Sequence, residues 1–169
     1  MMIENLVLIG MPGAGKSTIG VLVAKALNMS FIDTDLLIQK KENKLLQEII
    51  EEKGIKEFLD IEAEVILGLD AANTVVATGG SVILRDKAME HLKEKGLIIY
   101  LNLSYKEIEK RLYNIKTRGI AMDNNKSLLQ VYKERIPLYE KYADKVILCS
   151  GKGIEDIVME ITALWKKAQ

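Results

Sequence analysis

The stretch Gly10-Met11-Pro12-Gly13-Ala14-Gly15-Lys16-Ser17-Thr18 carries the pattern G-x-x-x-x-G-K-[ST], filled by Gly10, Gly15, Lys16 and Ser17. Glycine lets a backbone adopt positive φ and come close to a ligand, so the loop amides can point inward at a phosphate chain. A helix that starts at the lysine adds partial positive charge from its N-terminus. In such a loop the lysine reaches the β- and γ-phosphates, and the hydroxyl after it binds Mg²⁺. Gly13, Ala14, Gly15, Lys16, Ser17 and Thr18 are therefore expected to hold a nucleoside triphosphate, with Ser17 on the metal. A chance glycine-rich turn would lack the right flanks. Here the apolar run Leu6–Ile9 reads as a buried strand, and apolar residues recur at helical spacing up to Leu27, with Asn28 placed for a C-cap.

Three further groups could turn nucleotide binding into a reaction. In Phe31-Ile32-Asp33-Thr34-Asp35, two carboxylates alternate at the end of a short apolar run. Asp33 could support the metal shell, and Asp35, if the chain turns into a helix there, could face a second substrate and take its hydroxyl proton. The competing assignment is a pair of helix caps on the surface. In Val75-Val76-Ala77-Thr78-Gly79-Gly80 a strand runs into two glycines, which would let the backbone approach a small ligand or simply make a tight turn. The last group is cationic: Arg111 near the end of a helical stretch, Arg118 in the polar segment 114–127, and Arg135 in Glu134-Arg135-Ile136-Pro137-Leu138-Tyr139. Phosphoryl transfer needs cations on the charge of the migrating group, and a mobile loop carrying an arginine could close over the nucleotide. No Asp closes the strand at Ala77 and no N-K-x-D segment occurs, which argues against a mechanical ATPase and a GTPase. Arg85 and His91 have no evident partner, and His91 is expected to be exposed.

These groups need a scaffold. Strand-like runs recur at 6–9, 31–32, 74–77, 97–103 and 145–149, separated by helix-patterned stretches near 16–27, 36–52, 55–69, 87–94, 105–113, 127–142 and 154–166. That alternation predicts a parallel sheet covered on both faces. At 169 residues the chain is expected to form one domain, 1–169, with a lid at about 114–127. A chain of this size buries roughly 70% of its unfolded surface and needs no staple. Lysine plus arginine equals aspartate plus glutamate at 24 each, so bulk charge points to neither nucleic acid nor a membrane as partner. The single cysteine, Cys149, lies in an apolar run and is expected to be a small core hydrophobe in a reducing compartment. No apolar run reaches membrane-spanning length and no signal-like N-terminus is seen, so a cytoplasmic protein is expected.

The segments Leu8-Ile9-Gly10 through Gly20, Phe31 to Asp35, Ala77-Thr78-Gly79-Gly80, Arg111 to Arg118 and Arg135 to Asp144 together resemble the shikimate kinases, within the P-loop nucleoside-monophosphate-kinase-like group. The likeness runs nearly the full chain in the family's order. It implies a three-layer α/β P-loop kinase fold with a five-stranded parallel sheet flanked by helices. It implies an ATP- and Mg²⁺-dependent transfer of phosphate to the 3-hydroxyl of shikimate; separately, the chain is expected to be a monomer. By this resemblance Lys16 and Ser17 serve ATP and metal, Asp33 supports the metal, and Asp35 binds the acceptor hydroxyls and is the candidate base. Gly79 and Gly80 line the ring, Arg118 covers the nucleotide with Arg111 beside it, and Arg135 pairs with the acceptor's carboxylate. Two positions on the acceptor side depart from the family pattern. Leu59 stands in Phe58-Leu59-Asp60-Ile61-Glu62 where an arginine is usual, and Ser81 replaces a third glycine; the lid reads Arg118-Gly119-Ile120 in place of Arg-Pro-Leu. These departures leave a kinase of another small polyol or sugar acid as the second expectation. A nucleotide-binding module without turnover is third, because Asp33, Asp35, Arg118 and Arg135 are all kept.

Overall fold

The computed structural model describes residues 3–113 and 119–169. Five strands, β1 (Asn5–Ile9), β2 (Ser30–Asp33), β3 (Thr74–Ala77), β4 (Gly96–Asn102) and β5 (Lys145–Leu148), pair in the order β2-β3-β1-β4-β5, and every pairing is parallel. Strands covered on both faces read as unbroken apolar runs, and β1 is buried along its whole length. The edge strand β5 buries only Ile147.

Seven helices cover the sheet among the described residues: α1 (Lys16–Leu27), α2 (Thr34–Glu42), α3 (Leu46–Leu67), α4 (Asp86–Lys95), α5 (Tyr105–Tyr113), α6 (Leu128–Tyr142) and α7 (Ile154–Ala168). Asn28 caps α1 in the left-handed conformation, as its place in the sequence suggests.

The stretch 36–52 corrects the sequence expectation. It is not one helix. Asn43 takes φ 53° and ends α2, its amide bonding back to Gln39. The chain then restarts as α3, where the Leu45 amide donates to the Glu48 carboxylate at 2.8 Å. The helical apolar spacing survives this break because Ile38, Leu46 and Ile49 all enter one small core with Phe58, Leu59, Ile61 and Ala121. Gly54 separates two helical segments, as its place in the sequence suggests: with φ 81° and ψ 167° it is non-helical, and α3 is two helices joined across a kink there. This second core holds α2 and α3 against the segment around Ala121. The main core, between sheet and helices, holds everything else.

Register decides where the chemistry gathers. Asp33 at the end of β2 aligns with Ala77 of β3, which aligns with Leu8 of β1. The segments following these three strands therefore emerge side by side at the carboxyl edge, where parallel sheets bind ligands.

Candidate active site

The loop after β1 has the conformation its glycines allow: Gly13 and Gly15 take φ 82° and 93°, and Gly15 is the left-handed residue from which α1 starts. Lys16 is buried and donates to the carbonyls of Gly10 at 2.7 Å and Met11 at 2.8 Å, so its ammonium lies across the loop's concave side. Ser17 Oγ donates to Asp33 Oδ2 at 2.6 Å. The other oxygen of Asp33 accepts from the Asp35 amide at 3.0 Å and so caps α2. The cap assignment and the metal assignment for Asp33 thus coexist, one on each oxygen. Arg111 reaches back from α5 to donate to the Gly13 carbonyl at 3.0 Å. Beside it a cleft of about 170 Å³ is lined by Ala14, Gly15, Thr18, Arg111 and Lys152, with buried Cys149 in its wall.

A hydroxyl and a carboxylate at Ser17 and Asp33 suit a hard cation such as Mg²⁺. No cluster of three or more His, Cys, Asp or Glu that could hold a metal occurs among the described residues. A set of two oxygen ligands fits an ion that takes the rest of its shell from phosphates and water.

On the other side of the loop, Asp35, Gly79, Gly80, Ser81 and Arg135 line one small cleft that ends on Pro12 of the phosphate loop. The glycines are needed here for closeness. A Cβ at Gly79 would stand 2.7 Å from Glu62 Oε2 and 2.8 Å from Asp35 Oδ1; one at Gly80 would stand 2.5 Å from Pro12 Cδ. Arg135 is 4% exposed, donates through Nη2 to the Ala121 carbonyl, and has no hydrogen-bond partner at Nη1 among the described residues. Its guanidinium also borders a cavity of about 520 Å³ whose wall includes Lys56, Leu59, Arg85 and Lys126. The position where the family pattern has arginine therefore faces the same space as Arg135.

Two contributors, Glu62 and Tyr139, were not singled out from the sequence, and Ser81 entered only as a departure from the family pattern. Glu62 is 1% exposed; Ser81 Oγ donates to its Oε1 at 2.8 Å, and Oε2 has no partner among the described residues. Burial pushes the Glu62 carboxyl up to about 7, and the nearby Asp35 adds to the rise, while the Ser81 hydrogen bond, Arg135 and Lys16 pull the other way. Tyr139 donates to the Gly80 carbonyl at 2.5 Å and stacks on Tyr100, so α6 fixes the glycine turn to the sheet. Its spacing from Arg135 is i,i+4 on one helix face, which was readable. So was that of Glu62, a carboxylate on the apolar stripe Phe58, Glu62, Ile66. Ser81, which looked like a loss, supplies the donor to Glu62.

Every candidate residue that the structure describes is gathered at this edge. Arg118, with the first part of the 114–127 segment, lies outside the described residues. Two expectations are corrected. His91 is half-buried rather than exposed, with Nε2 3.0 Å from the Leu69 carbonyl, because α4 packs against α3 and the turn after it. Arg85 does have a partner: it pairs with Asp60 at 2.9 Å.

Comparison with known proteins places this geometry. The family described as Shikimate kinase matches residues 12–166. A shikimate kinase of Clostridium botulinum is 37% identical over 161 residues, covering 94% of each chain. One of Thermodesulfovibrio yellowstonii is 38% identical, covering 94% of this chain and 92% of its own. Among solved structures, the shikimate kinase from Acinetobacter baumannii in complex with shikimate superposes with a TM-score of 0.90 at 30% identity, covering 99% of this chain and 95% of that one.

Proposed function

Because this chain belongs to the shikimate kinase family, we propose that it transfers the γ-phosphoryl group of ATP to the 3-hydroxyl of shikimate, yielding shikimate 3-phosphate and ADP. The product is a precursor of aromatic amino acids. The observation that carries the reading is the single cleft formed by Asp35, Gly79, Gly80 and Arg135, closed on one side by Pro12 of the phosphate loop. The cleft itself has only about 20 Å³ of open space, so a small acid would use the adjoining cavity of about 520 Å³ that Arg135 also lines, with its hydroxyls toward Asp35, its carboxylate toward Arg135 and the triphosphate next door.

In this reading the loop amides from Gly13 to Thr18 and the Lys16 ammonium carry the phosphate charge. The acceptor oxygen attacks the γ-phosphorus as the bond to the bridging oxygen breaks, and its proton passes to the Asp35 carboxylate. Lys16, drawn from the Gly10 and Met11 carbonyls, follows the charge that grows on the leaving ADP. Ser17 and Asp33 would hold Mg²⁺, which neutralises phosphate charge when bound. Arg111 braces the loop at Gly13 beside the nucleoside, and Arg118 is assigned to cover the nucleotide. Residues 114–127 are assigned as its lid within a single kinase domain. We read the protein as a cytoplasmic monomer that engages neither nucleic acid nor membrane; no helix among the described residues is long and apolar enough to cross one.

The test is a coupled ADP-release assay against shikimate, quinate, gluconate and simple polyols. ADP release that depends on shikimate above the others is expected. Release that ignores every acceptor, or that prefers a polyol, would contradict the reading.

A further inference from the structure

Glu62 has a place in the site that phosphate transfer alone does not explain. It projects from α3 on the same stripe as Phe58 and Ile66, both fully buried, into the space beneath Gly79. One carboxyl oxygen is held by Ser81. The other has no hydrogen-bond partner among the described residues, and it approaches within 2.7 Å of the point where a Gly79 side chain would begin. An Asp35 oxygen approaches the same point from α2 to 2.8 Å. Two acid side chains thus converge on one glycine, with Arg135 and Tyr139 facing Glu62 from α6 and Lys16 from the phosphate loop.

We infer that Glu62 is a specificity-determining carboxyl of the acceptor pocket: when neutral it leaves the Arg135 charge to an acidic acceptor, and when ionised it competes for that charge and weakens acceptor binding. The inference rests on the proposed acidic acceptor. Its physical basis is local. An acid buried this deeply resists ionisation, and Asp35 opposes a second negative charge at Gly79. Once Glu62 does ionise, its charge falls between Asp35 and Arg135, in a region where water screens little. Arg135 Nη1, unpartnered among the described residues, then has two claimants, Glu62 and the incoming carboxylate. Ser81 tunes the balance, because a donor to the carboxyl favours its ionised form. Titration near 7 puts the change within the working range of an ordinary enzyme.

The experiment measures the shikimate KM from pH 6 to 8.5 at saturating MgATP for the wild type, Glu62→Gln and Ser81→Ala, together with a ¹³C-carboxyl titration of the ligand-free protein. The acid group of shikimate stays ionised throughout this range. The wild-type KM is expected to rise about tenfold as Glu62 ionises. Glu62→Gln, fixed in the neutral state, should hold one KM across the range while the kcat profile keeps its shape. Ser81→Ala should move the KM inflection and the Glu62 resonance together to higher pH. A merely structural glutamate would change stability without moving the KM profile. An identical KM slope in the wild type and Glu62→Gln would overturn the inference alone, as would a Glu62 resonance titrating in the usual carboxylate range. Should Glu62→Gln fail to fold, Ser81→Ala decides: an unmoved inflection overturns the inference. Absence of shikimate turnover by the wild type at every pH would overturn the proposed function and the inference with it.

Discussion

Replacing Leu59 by arginine tests how the acceptor pocket recognises an acid. Leu59 borders the same cavity as Arg135, and that cavity has about 520 Å³ of space for a guanidinium. A second charge-assisted hydrogen bond to the acceptor's carboxylate is worth roughly 1.5–3 kcal/mol, which lowers KM about 10- to 100-fold. Two terms reduce this. Lys56, one turn earlier and exposed on the same cavity, already supplies a point charge, though without a planar fork. Leu59 is also 7% exposed and packs in the core with Phe58, Ile61 and Ala121, so its replacement sacrifices packing. An arginine stem recovers part of that contact, which limits the stability loss to about 1–2 kcal/mol against roughly 2–5 for truncation to alanine. For a chain of this size 1 kcal/mol lowers the melting temperature by about 2–4 °C. The expected result for Leu59→Arg is a shikimate KM lowered about tenfold, kcat little changed, and a melting temperature a few degrees down. The assay is steady-state kinetics at saturating MgATP with a parallel thermal melt. A folded variant with an unchanged shikimate KM would refute the idea that position 59 meets the acceptor's acid group.

Other perturbations reach different parts of the site. Asp35→Asn should cut kcat by about 10²- to 10⁴-fold with calorimetric ATP affinity unchanged, since asparagine keeps the shape but accepts no proton; a rate within a few-fold of wild type would leave Asp35 as a helix residue only. Gly80→Ala puts a methyl group 2.5 Å from Pro12 Cδ and 2.9 Å from Pro12 N, so it should push the phosphate loop and the acceptor turn apart. It should destabilise the fold by about 1–3 kcal/mol and weaken ATP binding, both readable by melting and calorimetry; normal ATP affinity would show that the two loops are not coupled. Glu62 also makes stability depend on pH. Its carboxyl titrates at about 7 when folded, against an ordinary 4.5, so between these values the folded state binds more protons than the unfolded one. Its contribution is therefore present below pH 4.5 and lost as pH rises through 7, by about 3 kcal/mol. Urea unfolding at pH 5 and pH 8 should show that loss in the wild type relative to Glu62→Gln, and parallel curves would contradict it.

The nucleotide side of this site was legible because its chemistry is local. Gly10 to Thr18 is one continuous segment whose glycines, lysine and hydroxyl carry their roles in their order, and the strand and helix that aim it have clear periods. Asp33 and Asp35 were legible as a pair, but the meeting of Asp33 with Ser17 depends on β2 and β1 lying two places apart in the sheet, which spacing alone does not give. The acceptor side was harder. Glu62 stands on the apolar stripe of Phe58 and Ile66, but spacing does not tell what it meets once α3 is docked, and Ser81 gains meaning only with Glu62 beneath it. The break at Asn43 was hidden because Ile38, Leu46 and Ile49 keep a helical rhythm across it while entering one core. Tertiary packing overrode the local pattern there. At Gly54 the local signal held: its φ of 81° lies outside helical geometry and parts the two segments of α3.

The central claim is that the phosphate loop and the Asp35–Arg135 cleft are two halves of one phosphoryl-transfer site. A ³¹P NMR spectrum of the protein with ATP, Mg²⁺ and shikimate tests it most directly. Loss of the ATP γ-phosphate resonance, with a sugar-type phosphomonoester and ADP appearing in equal amounts, is the predicted result. ADP accompanied only by inorganic phosphate, or ATP left intact, would contradict it.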